Sequence, residues 1–300
     1  MFRLKDGIKG VSIMNLNEST ILITGMTGTL GSRVARRFLK EACEVRGLYR
    51  SQEQADHYST NDVIPIIGEL GNPASLLAAL QGVDLLIHCA AYLGDDPDLA
   101  EEANVTGVKH LADAATNACV KRIIHISTTS VYGEVVTGHF TETSPLLPSE
   151  HAYIHTKQLS ERLLQEYTPD SDLIILRPGS ICAEEQSYWG DRQVERMKVA
   201  DLITWVHPED VVPWIHADNL VEMIVLAATN AQDGNIFNAI DVNLPETDFR
   251  MKLIEASGKP FQAPDRPAEQ ATFSNDCIKQ LGHVPFRTPE STVELLVKSF

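Results

Sequence analysis

Tyr153 and Lys157 stand four positions apart in Tyr153–Tyr167, a segment with helical spacing, so both side chains can project from one face. A free phenol holds its proton to a pKa near ~10. An adjacent ammonium favours the phenolate and brings its proton affinity closer to working pH, which suits Tyr153 to general acid or base chemistry. Taken in isolation, the same pair also fits a solvated surface.

The second chemical feature is Thr24-Gly25-Met26-Thr27-Gly28-Thr29-Leu30-Gly31, which follows an apolar run and opens an amphipathic segment. Gly25 permits a sharp strand-to-helix turn, Gly28 lets a pyrophosphate approach the backbone, and Gly31 allows helix and strand to pack closely. The pyrophosphate would then meet the unpaired N–H groups of a helix start, with Thr27, Thr29 and Leu30 completing the cradle. A glycine trio alone is an ordinary turn. Set between a strand and a helix, with further strand-helix units behind it, it reads as a dinucleotide site.

An acidic residue after the second strand would receive the ribose hydroxyls of NAD, whereas Leu48-Tyr49 leads here into Arg50 and Ser51. Arg50 is the candidate for the extra phosphate of NADP, favoured over NAD, its alternative being a solvated loop cation. Glu69 and Leu70, after the third strand, are candidates for locating adenine through their backbone, although a solvent-facing carboxylate fits Glu69 almost as well. Ala90 and Ala91 would let the cofactor pass close to the sheet, and small core residues would look the same.

Short apolar runs alternating with longer helical patterns must position these groups, and that alternation is the pattern of repeated βαβ units and a parallel sheet. Strands are expected at Thr20–Thr24, Glu44–Tyr49, Val63–Ile67, Asp84–Cys89, Arg122–Ser127 and Leu173–Arg177. Helices are expected at Ser32–Ala42, Pro73–Leu80, Glu101–Ala118 and Tyr153–Tyr167, with Asn72 and Pro73 as cap and first turn. The fold class is α/β: a Rossmann, doubly wound parallel sheet with a smaller C-terminal substrate lobe. Residues 1–19 form an N-terminal extension in which Met14 could serve as a start, 20–178 the NAD(P)-binding body, and 179–300 mainly the lobe. Within 210–240, strands Val211–Ile215 and Asn235–Ala239, with a helix Asn219–Thr229 between them, are expected to return to the body.

Among 300 residues, 43% are hydrophobic and 22% charged, as in an ordinary globular protein. No run of about 18 uncharged apolar residues is present to span a bilayer. A formal charge of -16 with scattered basic residues disfavours nucleic-acid partners. Cys43, Cys89, Cys119, Cys182 and Cys277 are odd in number and lack metal-ligand spacing, so no metal site is expected. Reduced thiols, and no secretory pattern within residues 1–19, point to the cytoplasm.

Several motifs occur in a telling order. The Gly-x-x-Gly-x-x-Gly loop is followed by His88-Cys89-Ala90-Ala91, Asn104-Val105-Thr106-Gly107 and Ser127-Thr128-Thr129-Ser130-Val131-Tyr132-Gly133. Then come Tyr153-Ile154-His155-Thr156-Lys157, Arg177-Pro178-Gly179 and Trp214-Ile215-His216-Ala217-Asp218-Asn219. Across approximately residues 20–240 the chain resembles the extended branch of the short-chain dehydrogenase/reductase superfamily, which includes sugar-nucleotide epimerases, dehydratases and dihydroflavonol-type reductases.

The resemblance implies hydride transfer between nicotinamide and a carbonyl or secondary alcohol, with Thr128, Tyr153 and Lys157 as the catalytic set. Thr128 would fix the substrate oxygen, with Ser127 beside the cofactor as its lesser substitute. Lys157 would also hold ribose hydroxyls, and Pro178 and Gly179 would lie near nicotinamide. Asn104 would organise the loop behind that ring or simply cap a helix. Tyr92, Tyr188 and Trp189 are candidate substrate walls, with Trp205 and His207 further candidates, although aromatics also serve packing. His216 receives no chemical role.

Two other activities stay open: a sugar-nucleotide epimerase with retained NAD, and a noncatalytic NAD(P)-binding regulator. Dehydratases of the family carry an acidic pair where this chain has Thr129 and Ser130, which counts against dehydration. Ser180 stands where sugar-nucleotide enzymes often have Asn, which tilts the substrate toward a reductase-like or hydroxysteroid-like type. The resemblance also implies a homodimer acting on a small molecule.

Overall fold

The computed structural model describes residues 14–41, 44–59 and 62–300. In its first part run β1 (Thr20–Thr24), α1 (Gly31–Phe38), β2 (Glu44–Tyr49), α2 (Gln52–Tyr58), β3 (Ile64–Ile67), α3 (Pro73–Leu80), β4 (Leu85–His88), α4 (Pro97–Glu101), α5 (Gly107–Asn117) and β5 (Arg122–Ile126). Next come β6 (His139–Phe140), α6 (Ala152–Tyr167), β7 (Asp172–Pro178), β8 (Ser180–Cys182), α7 (Asp191–Val199), β9 (Val211–His216), α8 (Ala217–Asn230) and β10 (Ile236–Ala239). The chain closes with β11 (Val242–Pro245), α9 (Arg250–Ser257), β12 (Thr272–Phe273), α10 (Asp276–Gln280) and α11 (Pro289–Val297).

Seven strands form one parallel sheet in the order β10-β7-β5-β4-β1-β2-β3. Because strand side chains alternate between faces, each central strand feeds two cores. Ile21, Ile23, Leu85, Ile87, Ile124 and Ile126 join Val34, Phe38, Leu220 and Ile224 beneath α1 and α8. Leu22, Leu86 and Ile123 join Leu76, Leu111 and Leu164 beneath α3, α5 and α6. Pro65 lies in β3, at the sheet edge, where its missing N–H leaves no ladder bond unmade.

Local sequence explains the helix starts. Asn72 accepts the Ser75 N–H at 3.2 Å ahead of Pro73, as expected from that pair. Ser51 does the same for Gln54 at 3.2 Å and so starts α2, a helix the hydrophobic pattern did not announce. The expected helix Glu101–Ala118 is helical to Asn117 but starts earlier, in a short α4 that Asp96 caps, and passes through a π-helical turn, Glu102–Thr106, before α5. That wide turn carries Asn104 inward. The expected helix Ser32–Ala42 gives way to a 3-10 turn, Leu39–Glu41, after Phe38, and its last residue, Ala42, lies outside the described residues, as does Cys43.

Residues 1–13 of the expected extension also lie outside the described residues. Of the remainder, Leu16 to Glu18 form a 3-10 turn capped by Asn15, and Leu16 packs into the core under α1.

A second lobe has its own core of Cys182, Val194, Met197, Trp214, Phe249 and Leu253, beside a three-stranded sheet ordered β11-β9-β8. One expectation is corrected here. Of the two strands expected to return to the main sheet, β10 does so beside β7, whereas β9 pairs with β8 and β11 in the small sheet. Gly179 permits this approach: a β-carbon there would collide with the Pro213 carbonyl, so its absence lets β9 lie close to the chain as it leaves β7.

Candidate active site

Because the main strands are parallel, the carboxyl ends of β1, β4 and β5 open on one edge, where α/β sheets bind ligands. Gly25 leaves β1 at φ +77, and a β-carbon on it would stand 2.8 Å from the Ala90 nitrogen. A β-carbon on Gly31 would overlap the Gly25 carbonyl, while one on Gly28 would make ordinary contact with that oxygen at 3.4 Å. Gly28 donates its N–H to the Gly25 carbonyl at 3.1 Å, tightening the turn. Thr27 and Gly28 are exposed, whereas Leu30 turns its side chain into the core.

This cradle fits a dinucleotide phosphate: a positive-φ glycine, a helix start without a side-chain cap, and two glycines in forced close approach. Ser127 adds a buried hydroxyl with no partner among the described residues, at the end of β5. Thr29 donates its hydroxyl to the Gln186 carbonyl, and Arg33 reaches the Glu185 carbonyl at 3.0 Å, so a second-lobe segment sits against the loop.

The proposed catalytic residues converge at the end of β5. Thr128 lies within hydrogen-bonding reach of the Tyr153 phenol. Burial raises that phenol's pKa and the Thr128 hydroxyl opposes the rise. Thr128 is itself fixed, accepting from the Ser130 N–H at 3.1 Å and donating to the Ser130 hydroxyl at 3.2 Å. One turn along α6, Lys157 is 2% exposed and donates to the Ile126 carbonyl at 2.8 Å. Burial lowers its pKa from 10.5 to about 8, against Glu161 and Cys89, which favour the ammonium.

Around Lys157 lies a polar layer to which the motif reading gave no role. Thr24, His88 and His125 share the sheet face covered by α5 and α6, since Leu22, Leu86 and Ile123 precede each by two residues. Thr24 meets His88 Nδ1 at 2.8 Å and receives the Ala90 N–H at 3.1 Å. Burial drives the His88 pKa down to about 3 and holds His125 well below its ordinary value, so both rings are neutral. Glu161 pairs with Arg177 through bonds of 3.0 and 2.7 Å, and Arg177 reaches the Tyr132 hydroxyl at 3.0 Å. A histidine closing an all-apolar strand, as in Leu85–His88, was the available signal.

Other expected residues occupy varied places. Asn104 accepts the Tyr92 N–H at 2.8 Å, donates to the Tyr92 carbonyl at 2.9 Å and reaches Thr156 at 3.2 Å, fixing the chain after Ala90 and Ala91. Arg50 is exposed at the end of β2. Glu69 is exposed, and the Leu70 carbonyl bonds the His110 ring at 3.1 Å. Pro178 ends β7 beside Gly179, which faces Pro213.

The aromatic candidates do not gather into one wall. Tyr188 is 57% exposed, and Trp189 packs against the second-lobe core under the Arg250 guanidinium, 4.7 Å from its ring centre. Trp205 lies beneath Arg196 at 3.8 Å, and His207 accepts the Glu209 N–H at 3.2 Å. His216 caps α8 through the Asp218 N–H at 3.0 Å, a structural use. Among the described residues no cluster of His, Cys, Asp or Glu could hold a metal ion.

Known proteins resemble this chain in sequence and in fold. The chain is 27% identical over 256 residues to a 4-hydroxy-2-methyl-3-oxo-4-farnesyl-3,4-dihydroquinoline-1-oxide ketoreductase of Stigmatella aurantiaca, covering 83% of this chain and 76% of that protein. It is 32% identical over 169 residues to sterol demethylase protein B of Methylococcus capsulatus, covering 54% of this chain and 51% of that protein, so the match spans about half of the latter's length. The fold matches UDP-glucose 4-epimerase of Thermus thermophilus, solved with NAD, at a TM-score of 0.79 and 23% identity, covering 93% of this chain and 98% of the other. The model of the NAD dependent epimerase/dehydratase family matches residues 21–240. With that span taking in the glycine cradle, the β5 end and the Tyr153 helix, the chain is an enzyme of the NAD dependent epimerase/dehydratase family, within the extended short-chain dehydrogenase/reductases.

Proposed function

We propose that this enzyme transfers hydride between a nicotinamide and a carbonyl or secondary-alcohol carbon, with Tyr153 moving the proton on the substrate oxygen. The observation that carries this reading is the Thr128 hydroxyl within reach of the Tyr153 phenol, at the carboxyl edge of the sheet. When bound, the nicotinamide supplies the hydride donor or acceptor. Thr128 holds the substrate oxygen, and Tyr153 donates its proton during reduction or receives one during oxidation. Lys157 favours the phenolate by its charge and offers donors to the ribose. Ser127, Ala90 and Ala91 border the path of the cofactor, held in register by Asn104.

Reduction or dehydrogenation is preferred to dehydration because Thr129 and Ser130 offer no carboxylate beside Thr128. NADP is preferred to NAD because the β2 end presents Arg50 and no acidic residue. The substrate is a small molecule, with Tyr92, Tyr188 and Trp189 as candidate walls. Pairing through α5 and α6 would give a homodimer. Cys89, Cys119, Cys182 and Cys277 are free thiols, and no helix among the described residues is long and apolar enough to cross a membrane.

The test is oxidation of NADPH and NADH by purified protein with a panel of aldehydes and ketones, beside analysis of any nucleotide that copurifies. Carbonyl-dependent NADPH oxidation, weakened by Arg50→Ala, is expected. Tightly retained NAD with interconversion of sugar-nucleotide epimers would replace this reading with the epimerase one. Nucleotide binding without turnover on either panel would favour the regulator.

A further inference from the structure

His125 has no place in the proton transfer just described, yet it lies directly against the lysine that transfer needs. In β5, Ile124 and Ile126 face α1 and α8, which sends His125 toward α6. The ring is fully buried and stacks on His88, its register partner in β4, with centres 5.4 Å apart. Its Nε2 lies 3.2 Å from Lys157 Nζ and 3.1 Å from the Ser160 hydroxyl oxygen.

Donor and acceptor counts decide how these three groups are arranged. An ammonium carries only donors, so a charged Lys157 requires a bare lone pair on Nε2. Ser160 donates its own proton to the Lys157 carbonyl at 2.8 Å, so its oxygen would accept an Nε2–H, whereas only a bare Nε2 accepts from the ammonium. The ring proton then sits on Nδ1, an atom buried without a partner among the described residues. Nε2–H would instead satisfy the Ser160 oxygen and set a donor against the ammonium; the charge-assisted contact to Lys157 is the stronger of the two and favours the Nδ1–H form.

We propose that His125 is a positioning residue for Lys157: its neutral imidazole accepts a hydrogen bond from Nζ and, with the Ile126 carbonyl, pins the ammonium one helical turn from Tyr153. The meaning of this for turnover rests on the catalytic reading above; the interaction itself does not. Other ionisable groups facing Lys157 are Glu161 on α6, tied to Arg177 of β7, Cys89 after β4 and His88 on β4. Glu161 and Cys89 raise the lysine's proton affinity, and burial lowers it further than they raise it. Loss of the imidazole acceptor removes another support for the charge, so the amine should become still more acidic.

Two measurements on the free protein test this without turnover. Nitrogen NMR of the imidazoles at pH 6.5 to 7 is expected to find His125 neutral and protonated on Nδ1; protonation on Nε2 would overturn the proposal with no variant needed. Carbon NMR of 13Cε-lysine, with the Lys157 signal assigned by its loss in Lys157→Arg, then follows the titration. His125→Phe keeps a flat ring and removes the acceptor, and its Lys157 midpoint should fall by about one pH unit, tenfold in proton affinity. His125→Gln returns an acceptor near the Nε2 position and should stay within roughly half a unit of the parent. A phenylalanine variant titrating like the parent would reject the assignment, and if that variant does not fold, the tautomer decides.

Activity supplies a separate readout. The kcat/KM pH profile should move with the amine in His125→Phe and return in His125→Gln, whereas a role in packing alone would lower rates without moving it. An inactive protein with these NMR results would refute the catalytic reading and leave the His125–Lys157 contact standing.

Discussion

A β-carbon on Gly31 would fall on the carbonyl of Gly25, six residues earlier and across the turn that starts α1. Gly31→Ala must therefore push α1 away from β1, while Gly28→Ala meets only ordinary contact at 3.4 Å. Gly31→Ala is expected to weaken dinucleotide binding more than tenfold, roughly 1.4 kcal/mol or more, and to lower the thermal midpoint. Gly28→Ala should leave the midpoint near the parent's. Fluorescence titration with NADPH and a melting curve for each variant check both statements; equal midpoints would remove the steric account.

Tyr153→Phe keeps the ring and removes the group within reach of Thr128. Turnover should fall by about 10²–10⁴-fold, the usual worth of a positioned general acid or base. Cofactor affinity should hold within about twofold, since the phenol is assigned to the substrate oxygen. Thr128→Val should lose less, because Tyr153 remains. Wild-type kcat in the phenylalanine variant would remove Tyr153 from the mechanism.

Glu161 and Arg177 form a forked pair in which both side chains are nearly solvent-free, at 3% and 4% exposure. Removing one charge strands the other. Glu161→Gln is expected to cost about 3–5 kcal/mol in urea unfolding. The double change Glu161→Met with Arg177→Met should recover much of that loss, and a double variant no better than the single one would contradict the pairing account.

Acid should destabilise the fold through His88 and His125. Burial lowers His88 from 6.5 to about 3 and holds His125 well below 6.5, so the unfolded chain takes up protons that the folded rings refuse. Stability is then lost as pH falls below 6.5, for His88 down to about 3. Lys157 acts in another window: with its pKa lowered from 10.5 to about 8, its burial opposes folding fully below 8, and that opposition fades as pH rises toward 10.5. Urea midpoints against pH for the parent and Lys157→Met should therefore converge between pH 8 and 10. Parallel curves across that range would mean that the lysine titrates normally.

Strand positions were legible because β1, β4 and β5 are apolar on both faces and flanked by turn residues, so even Thr20–Thr24 and Glu44–Tyr49 match to the residue. The glycine cradle and the Tyr153 helix were equally visible, since their chemistry depends on fixed local spacing. The π-helical turn before α5 was not legible; it holds Asn104, which bonds Tyr92 across the chain, a contact no periodicity encodes. His125 was hidden for a related reason. Its role arises from strand register and from α6 lying over β5, both settled by tertiary packing. Trp189, partly buried, packs against the second-lobe core, a placement that depends on tertiary packing and that no local spacing encodes.

The chain leaves the main sheet after β7, builds β8 and β9, covers the sheet with α8 and only then supplies β10 at its edge. A protein cut after Pro178 would bare the backbone of β7 and the apolar side chains that Leu220 and Ile224 roof over. Such a fragment should aggregate rather than bind nucleotide, because an unguarded strand edge and a stripped hydrophobic face invite self-association. Neither half can be lifted out and grafted elsewhere: the stitch that closes the first is sewn by the second.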